Sequence, residues 1–306
     1  MFICFGKYSM NYSEYKILVT GGSGFVGTET MKYLAEQGLS AYSYDIIDSR
    51  NDIRDIGRLE EIINKYQINR ILHLAAVARF QEADKNPQLA LETNALGTRN
   101  VAVMAGKYHI PAVYASTGSV YMPIAQEPPI TEEFESKGNS VYACTKYMGE
   151  LYIKEQSAPW IILRYAHLYG REKRMHGLIG GYIDRIKFGL APQLYGGKQS
   201  NDFCYIKDVA RANLLALIAP SDKWRQIYNI GTGEELTAEE AGEMVIKAYN
   251  KAFPQKKFTG KAEIHEGRIV DPLRFVYDIS KAERMLGFKA EYNFSVGLED
   301  MFSGEI

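Results

Sequence analysis

The chain has 306 residues, a hydrophobic fraction of 46% and a formal net charge of −1. That is enough for a large core in one or two domains, and the balanced charge leaves no footprint of a nucleic-acid-binding surface. Three scattered cysteines (Cys4, Cys144, Cys204) share neither metal-ligand nor redox spacing, which fits reduced thiols in a cytoplasmic protein, and no apolar run approaches the length of a membrane span.

In chain order, residues 1–15 lack a basic start, a sustained apolar stretch and a cleavage site, so they read as a loose N-terminal extension and not a signal peptide. Lys16–Thr20 (Lys-Ile-Leu-Val-Thr) reads as a short buried strand. It runs into a turn with glycines at Gly21, Gly24 and Gly27, carrying Phe25 and Val26, and a helical pattern continues to about Gln37. Gly38 ends that helix, and 40–45 reads as a second strand closing on Asp45. Strand, glycine turn, helix and strand make one βαβ unit. Its glycines allow a tight turn, close approach to a pyrophosphate and close helix–strand packing, while the helix N-terminus offers amide donors. Asp45 is placed to accept hydrogen bonds from a ribose diol, and its charge would repel a 2′-phosphate, so NAD is expected over NADP.

Alternation continues. Residues 69–76 are strand-like, 87–108 form one long helical pattern, Ala112–Thr117 is a strand, 142–156 a helix and 160–166 a strand. This predicts an α/β fold, a doubly wound parallel sheet of the Rossmann type with ligands at the strands' carboxyl ends. After Gly170 the pattern loosens, with Pro192, the Gly196-Gly197 turn and a late helix at 280–287. The expected division is a dinucleotide-binding domain over 16–170, with 203–230 (helical at 208–220) packing back on it. A smaller, discontinuous substrate lobe then takes 171–202 and 231–306.

The most informative local feature is Tyr142 followed four residues later by Lys146. That spacing puts both side chains on one helix face. Turning a phenol of ordinary pKa near 10 into a base near neutrality takes roughly 4 kcal/mol of differential stabilisation, which an ammonium and a nicotinamide cation are expected to supply together.

With these motifs in hand the chain resembles the extended short-chain dehydrogenase/reductases of the NAD-dependent sugar epimerase/dehydratase group, from about Lys16 to Phe302. The stretch Thr20 to Gly27 resembles that family's cofactor loop. By the same resemblance, Asp52 and Ile53 would contact adenine, and Leu74, Ala75 and Ala76 would lie beside the pyrophosphate and ribose. Thr117 takes the position of the catalytic hydroxyl, Gly196 to Phe203 follows the nucleotide of a nucleotide-sugar, and Arg268 falls in the C-terminal portion. Asn94 matches the conventional helix asparagine, which either serves the cofactor site or hydrogen-bonds a helix irregularity. His73 is expected to pack.

The departures bear on substrate. A family dehydratase carries an Asp-Glu pair after the threonine; here Gly118 and Ser119 stand there, which argues against dehydration. His167 replaces a usual asparagine and either hydrogen-bonds a diphosphate oxygen or fills space. Asn201 stands where many relatives carry a phosphate-binding arginine. Arg268 is expected to clamp a diphosphate, and Arg274 either assists or is salt-bridged. Arg79 and Phe80 face either the sugar or solvent. The resemblance implies a nucleotide-sugar epimerase acting at C4 with bound NAD and a UDP-sugar substrate. The alternatives are a net oxidoreductase of a sugar or nucleotide-sugar and a non-catalytic dinucleotide-binding protein. It also implies a homodimer through 87–108 and 142–156.

Overall fold

The computed structural model describes residues 14–122, 127–171, 177–266 and 274–303. β1 (Lys16–Thr20) is buried at Ile17, Leu18, Val19 and Thr20, so both faces of the strand are covered, as in a parallel sheet between helical layers. The first half continues with α1 (Phe25–Glu36), β2 (Ser40–Tyr44), α2 (Ile56–Tyr66), β3 (Arg70–His73), α3 (Phe80–Lys85), α4 (Pro87–Ala90), α5 (Thr98–Tyr108), β4 (Ala112–Thr117), α6 (Val141–Glu155) and β5 (Trp160–Tyr165). The second half contains β6 (His167–Tyr169), α7 (Leu178–Lys187), β7 (Gln193–Tyr195), β8 (Ser200–Asn201), β9 (Phe203–Tyr205), α8 (Ile206–Leu217) and β10 (Gln226–Ile230). It ends with β11 (Leu236–Thr237), α9 (Ala238–Ala252), β12 (Glu263–His265), β13 (Arg274–Phe275), α10 (Ser280–Leu286) and α11 (Phe294–Phe302).

Six strands form the main sheet in the order β10-β5-β4-β3-β1-β2. Every pair in it is parallel. The register brings the carboxyl ends of β1, β2 and β3 level, with Thr20 opposite both Tyr44 and His73, and sets Thr117 opposite Tyr165. Because β2 and β3 lie on opposite sides of β1, the helices that follow diverge and leave a crevice at those ends. α8 packs against α1, and Asn213 joins the two regions by donating to Thr30 (3.0 Å) and accepting from Tyr165 (2.6 Å). The remaining strands form three small sheets, β11-β8-β13, β12-β7 and β6-β9. One apolar core runs without a break from Val19 and Leu163 in the sheet to Ile183, Leu194 and Leu298 beyond it.

Two local departures shape the site. The 69–76 strand stops at His73, and the next residues turn away into the crevice. The 87–108 segment is not one regular helix: between α4 and α5, Leu91–Gly97 widens into a π-helical stretch, a feature frequent at functional sites. Asn94 sits inside it. Its Oδ1 accepts from the Val77 amide (2.7 Å), and its Nδ2 donates to the Val77 carbonyl (3.1 Å) and to Thr145 (3.1 Å).

Candidate active site

The glycine turn is built for close approach. Gly21 has φ +70°, and a Cβ there would fall 2.7 Å from the Ala75 amide nitrogen. Gly24 caps α1 with no side-chain hydrogen bond, so the helix's first amides have no side-chain acceptor and open toward the crevice. Asp45, one residue beyond β2, accepts from the Ser23 amide (2.9 Å) and the Ile47 amide (3.1 Å). Its carboxylate is therefore fixed against the turn. Beneath it, Thr98 donates to the Asn94 carbonyl, so His73 Nε2 must be the donor to Thr98 (2.9 Å) and Nδ1 the acceptor from Thr20 (2.6 Å). Burial pushes His73 well below its ordinary pKa, which keeps this ring neutral. His73 packs and ties β1 to β3 and α5.

A cleft of about 530 Å³ opens over these strand ends. Gly21, Gly24, Phe25, Val26, Gly27, Asp45, Asp52, Ile53, Leu74, Ala75 and Ala76 all line it, with Thr117, Tyr142 and Lys146 at its other end. The sequence reading and the geometry part at Asn94. That side chain is fully buried behind the wall with its polar atoms engaged by Val77 and Thr145, so it steadies the lining and does not face the cleft. Asp52 is held by Arg54 at 2.6 Å, which lowers its pKa, and Arg54 reaches on to Glu92 at 3.3 Å. The lining of the cleft, with helix amides and the glycine turn beside an acidic group, fits a dinucleotide.

Ser140 starts α6 by accepting from the Ala143 amide (3.2 Å), which puts Tyr142 in the first turn and Lys146 one turn on. Thr117 ends β4 and accepts from the Ser119 amide (3.2 Å). Burial pushes the Tyr142 phenol up, while a hydrogen bond with Thr117 pulls it down. The Lys146 ammonium lies 4.2 Å from the centre of the Tyr114 ring and is only 2% exposed. Desolvation lowers it to about 7, against an upward pull from Glu150. Burial thus dominates both groups, and the protein's side chains alone leave the phenol raised; the expected lowering rests on the ammonium together with a nicotinamide cation.

On the substrate side, Gly118 lies under Phe275 and Tyr277, and a Cβ there would collide with both rings. No carboxylate fits at that position. The exposed His167 stands with its ring edge-on to Phe275 at 5.2 Å, and desolvation by its surroundings lowers it to about 4. Asn201 is held in β8 between β11 and β13. Arg274 is the salt-bridged alternative: Glu235 accepts from its Nε and Nη2, both at 2.7 Å. Arg79 caps the start of α3, pairs with Glu82 at 2.9 Å and lies outside the cleft lining, whereas Phe80 meets Tyr142 edge-on at 5.1 Å. Arg268 lies outside the described residues. Phe275, Tyr277 and Tyr114 carried no local signal in the sequence. Glu150 did, since it continues the four-residue series Tyr142, Lys146. Among the described residues no group of His, Cys, Asp and Glu is arranged to hold a metal ion, and no helix is long and apolar enough to cross a membrane.

A parallel sheet with a glycine turn at its crevice, and a Thr-Tyr-Lys set across from it, defines a Rossmann-fold protein of the extended short-chain dehydrogenase/reductase class. Residues 17–231 match the model of the NAD dependent epimerase/dehydratase family, and the chain belongs to that family. A Methanocaldococcus jannaschii protein named "Putative UDP-glucose 4-epimerase" is 33% identical over 306 residues, covering 92% of this chain and 96% of its own. The Thermotoga maritima UDP-glucose 4-epimerase solved with UDP-glucose superposes with a TM-score of 0.83 at 26% identity, covering 94% of this chain and 97% of its own. The Thermus thermophilus UDP-glucose 4-epimerase solved with NAD gives 0.80 at 27% identity, covering 95% and 100%.

Proposed function

We propose that this protein is an NAD-dependent epimerase of nucleotide-sugars, acting at C4 of a UDP-sugar through a transient keto sugar. The observation that carries the reading is the convergence of Thr117, Tyr142 and Lys146 on the far end of a cleft whose near end carries an uncapped helix terminus and Asp45. The α1 amides and the glycine turn would hold the pyrophosphate, Asp45 the adenosine ribose diol, and Asp52 and Ile53 the adenine. NAD, when bound, supplies the hydride acceptor and donor. Tyr142 takes the proton from the C4 hydroxyl and later returns it. Lys146 steadies the phenolate and the nicotinamide ribose, and Thr117 hydrogen-bonds the reacting oxygen. Gly118 and Ser119 offer no carboxylate for the acid–base steps of dehydration, and the rings over Gly118 leave no room for one.

His167 and Asn201 line the sugar-nucleotide side in this reading, with Arg268 as the diphosphate cation. The dinucleotide part comprises 16–170 with 203–230, and the substrate lobe 171–202 with 231–306. Two copies associate through an apolar face that α5 and its π-helical entry share with α6, where Leu96, Val103, Met148 and Leu151 are exposed. The cytoplasm is the compartment that suits its reduced thiols.

The test is incubation with UDP-, GDP-, CDP- and dTDP-sugars, following product stereochemistry and cofactor absorbance together. Inversion at C4 of a UDP-sugar with no net change in reduced cofactor supports the reading. Stoichiometric accumulation of reduced cofactor, or no conversion of any sugar, contradicts it.

A further inference from the structure

Behind the Thr-Tyr-Lys set lies a buried charged cluster that the reaction itself does not use. Glu150 is fully buried, and Arg164 is 2% exposed. Glu150 Oε1 accepts from Ser116 Oγ at 2.6 Å and Arg164 Nε at 2.9 Å, and Oε2 accepts from Arg164 Nη2 at 2.6 Å. Lys154 approaches Oε2 at 3.7 Å. Ser116 precedes Thr117 on β4, and Arg164 precedes Tyr165 on β5, so one carboxylate ties α6 to the two strands that end at the site.

Stability is a weak reason for this arrangement. Desolvating both ions is expensive, and an apolar pair of similar volume is often as stable. Arg164 Nη1 makes no hydrogen bond among the described residues, and the guanidinium lies 4.6 Å from the centre of the Tyr121 ring. The helical spacing gives the cluster a target. Tyr142, Lys146 and Glu150 occupy successive turns of one face of α6. Groups facing Lys146 come from four elements: Tyr142 and Glu150 on α6, neutral His73 on β3, the Tyr114 ring on β4, and Arg164 on β5 beyond Glu150. Among these, Glu150 is the anion.

We propose that Glu150 is a positioning residue: locked by Arg164 and Ser116, it is the fixed counter-charge that keeps Lys146 an ammonium within a desolvated wall. The direction of the Lys146 titration agrees, since burial draws it down to about 7 and Glu150 opposes that fall. Removing the negative charge lowers Lys146 further, so the ammonium is lost at a lower pH and activity that needs it declines earlier as pH rises. The inference takes its catalytic meaning from the proposed function, but its test does not.

The test compares the wild-type protein as purified with Glu150→Gln, which keeps the hydrogen bond to Ser116 and removes the charge. Lysines are labelled with carbon-13 at Cε, and the Lys146 resonance is assigned by its loss in Lys146→Met. The Lys146 midpoint falls by about one pH unit in Glu150→Gln, a tenfold change in the ammonium-to-amine ratio. An unmoved midpoint overturns the proposal and leaves Glu150 as scaffold. Should Glu150→Gln fail to fold with a lone buried guanidinium, Glu150→Gln combined with Arg164→Met is compared with Arg164→Met alone, so that only the carboxylate differs, and an unmoved midpoint between those two overturns the proposal. Epimerase assays on the same samples separate the two claims. An inactive wild type whose midpoint still falls on substitution contradicts the function and supports this inference. An active wild type with an unmoved midpoint does the reverse.

Discussion

Tyr142 carries the account at the scale of single residues. It sits between Thr117, which hydrogen-bonds it, and Phe80, whose ring meets it edge-on at 5.1 Å. Tyr142→Phe keeps the ring and that contact and removes only the hydroxyl. Turnover falls by about 100-fold or more, the lower range of general acid–base contributions, while bound NAD measured after denaturation is unchanged. Turnover near wild type would remove Tyr142 as the base. Residues whose placement depends on their immediate neighbours were legible in the sequence: the glycine turn, Asp45 at a strand end, and the Tyr142–Lys146 pair on one helix face. Residues placed by tertiary pairing were not. Arg274 is directed to Glu235 by a β13–β8 register that joins distant segments, and Phe275 covers Gly118 by the same register. The ionisation of Tyr142 and Lys146 was also out of reach, because burial sets it and burial is a property of the folded wall.

The π-helical stretch is the clearest case at the scale of elements. Periodicity over 87–108 reads as one helix, although Gly97 stands at its centre, where the widened stretch ends. The widening at Leu91–Gly97 accompanies the bonds that Asn94 makes to both backbone groups of Val77 and to Thr145 on α6. Asn94→Ala removes partners from a lining loop and a buried hydroxyl. The expected loss is about 1–3 kcal/mol in denaturant unfolding, with weaker NAD retention, because Val77 lines the cleft. An unchanged unfolding midpoint would show that the asparagine does not hold the loop. The central strands were read to within a residue or a few, since short buried apolar runs between turn signals leave little choice. α2, α3, α7, α9 and α11 escaped the reading. For α9 a signal was present: Thr237 and Glu240 form a capping box, the hydroxyl accepting from the Glu240 amide at 3.1 Å and the carboxylate accepting from the Thr237 amide at 2.9 Å.

The whole molecule joins a regular sheet to an irregular second part through one continuous apolar core. Alternation of strand and helix announced the first. The second is built of strands of two or three residues, too short to show a period. The exposed apolar face of Leu96, Val103, Met148 and Leu151 makes a prediction at this scale. Wild-type protein sediments as a dimer, and Val103→Arg with Leu151→Arg sediments as a folded monomer. A wild-type monomer at micromolar concentration would contradict this interface.

The central claim is that hydride leaves C4 and comes back to C4 within one cleft, without passing to solvent. The most direct measurement is conversion of a UDP-sugar carrying deuterium at C4, followed by proton NMR of the product. The account predicts an inverted C4 that keeps its deuterium. Inversion with deuterium lost to water, or label recovered on released cofactor, would contradict it.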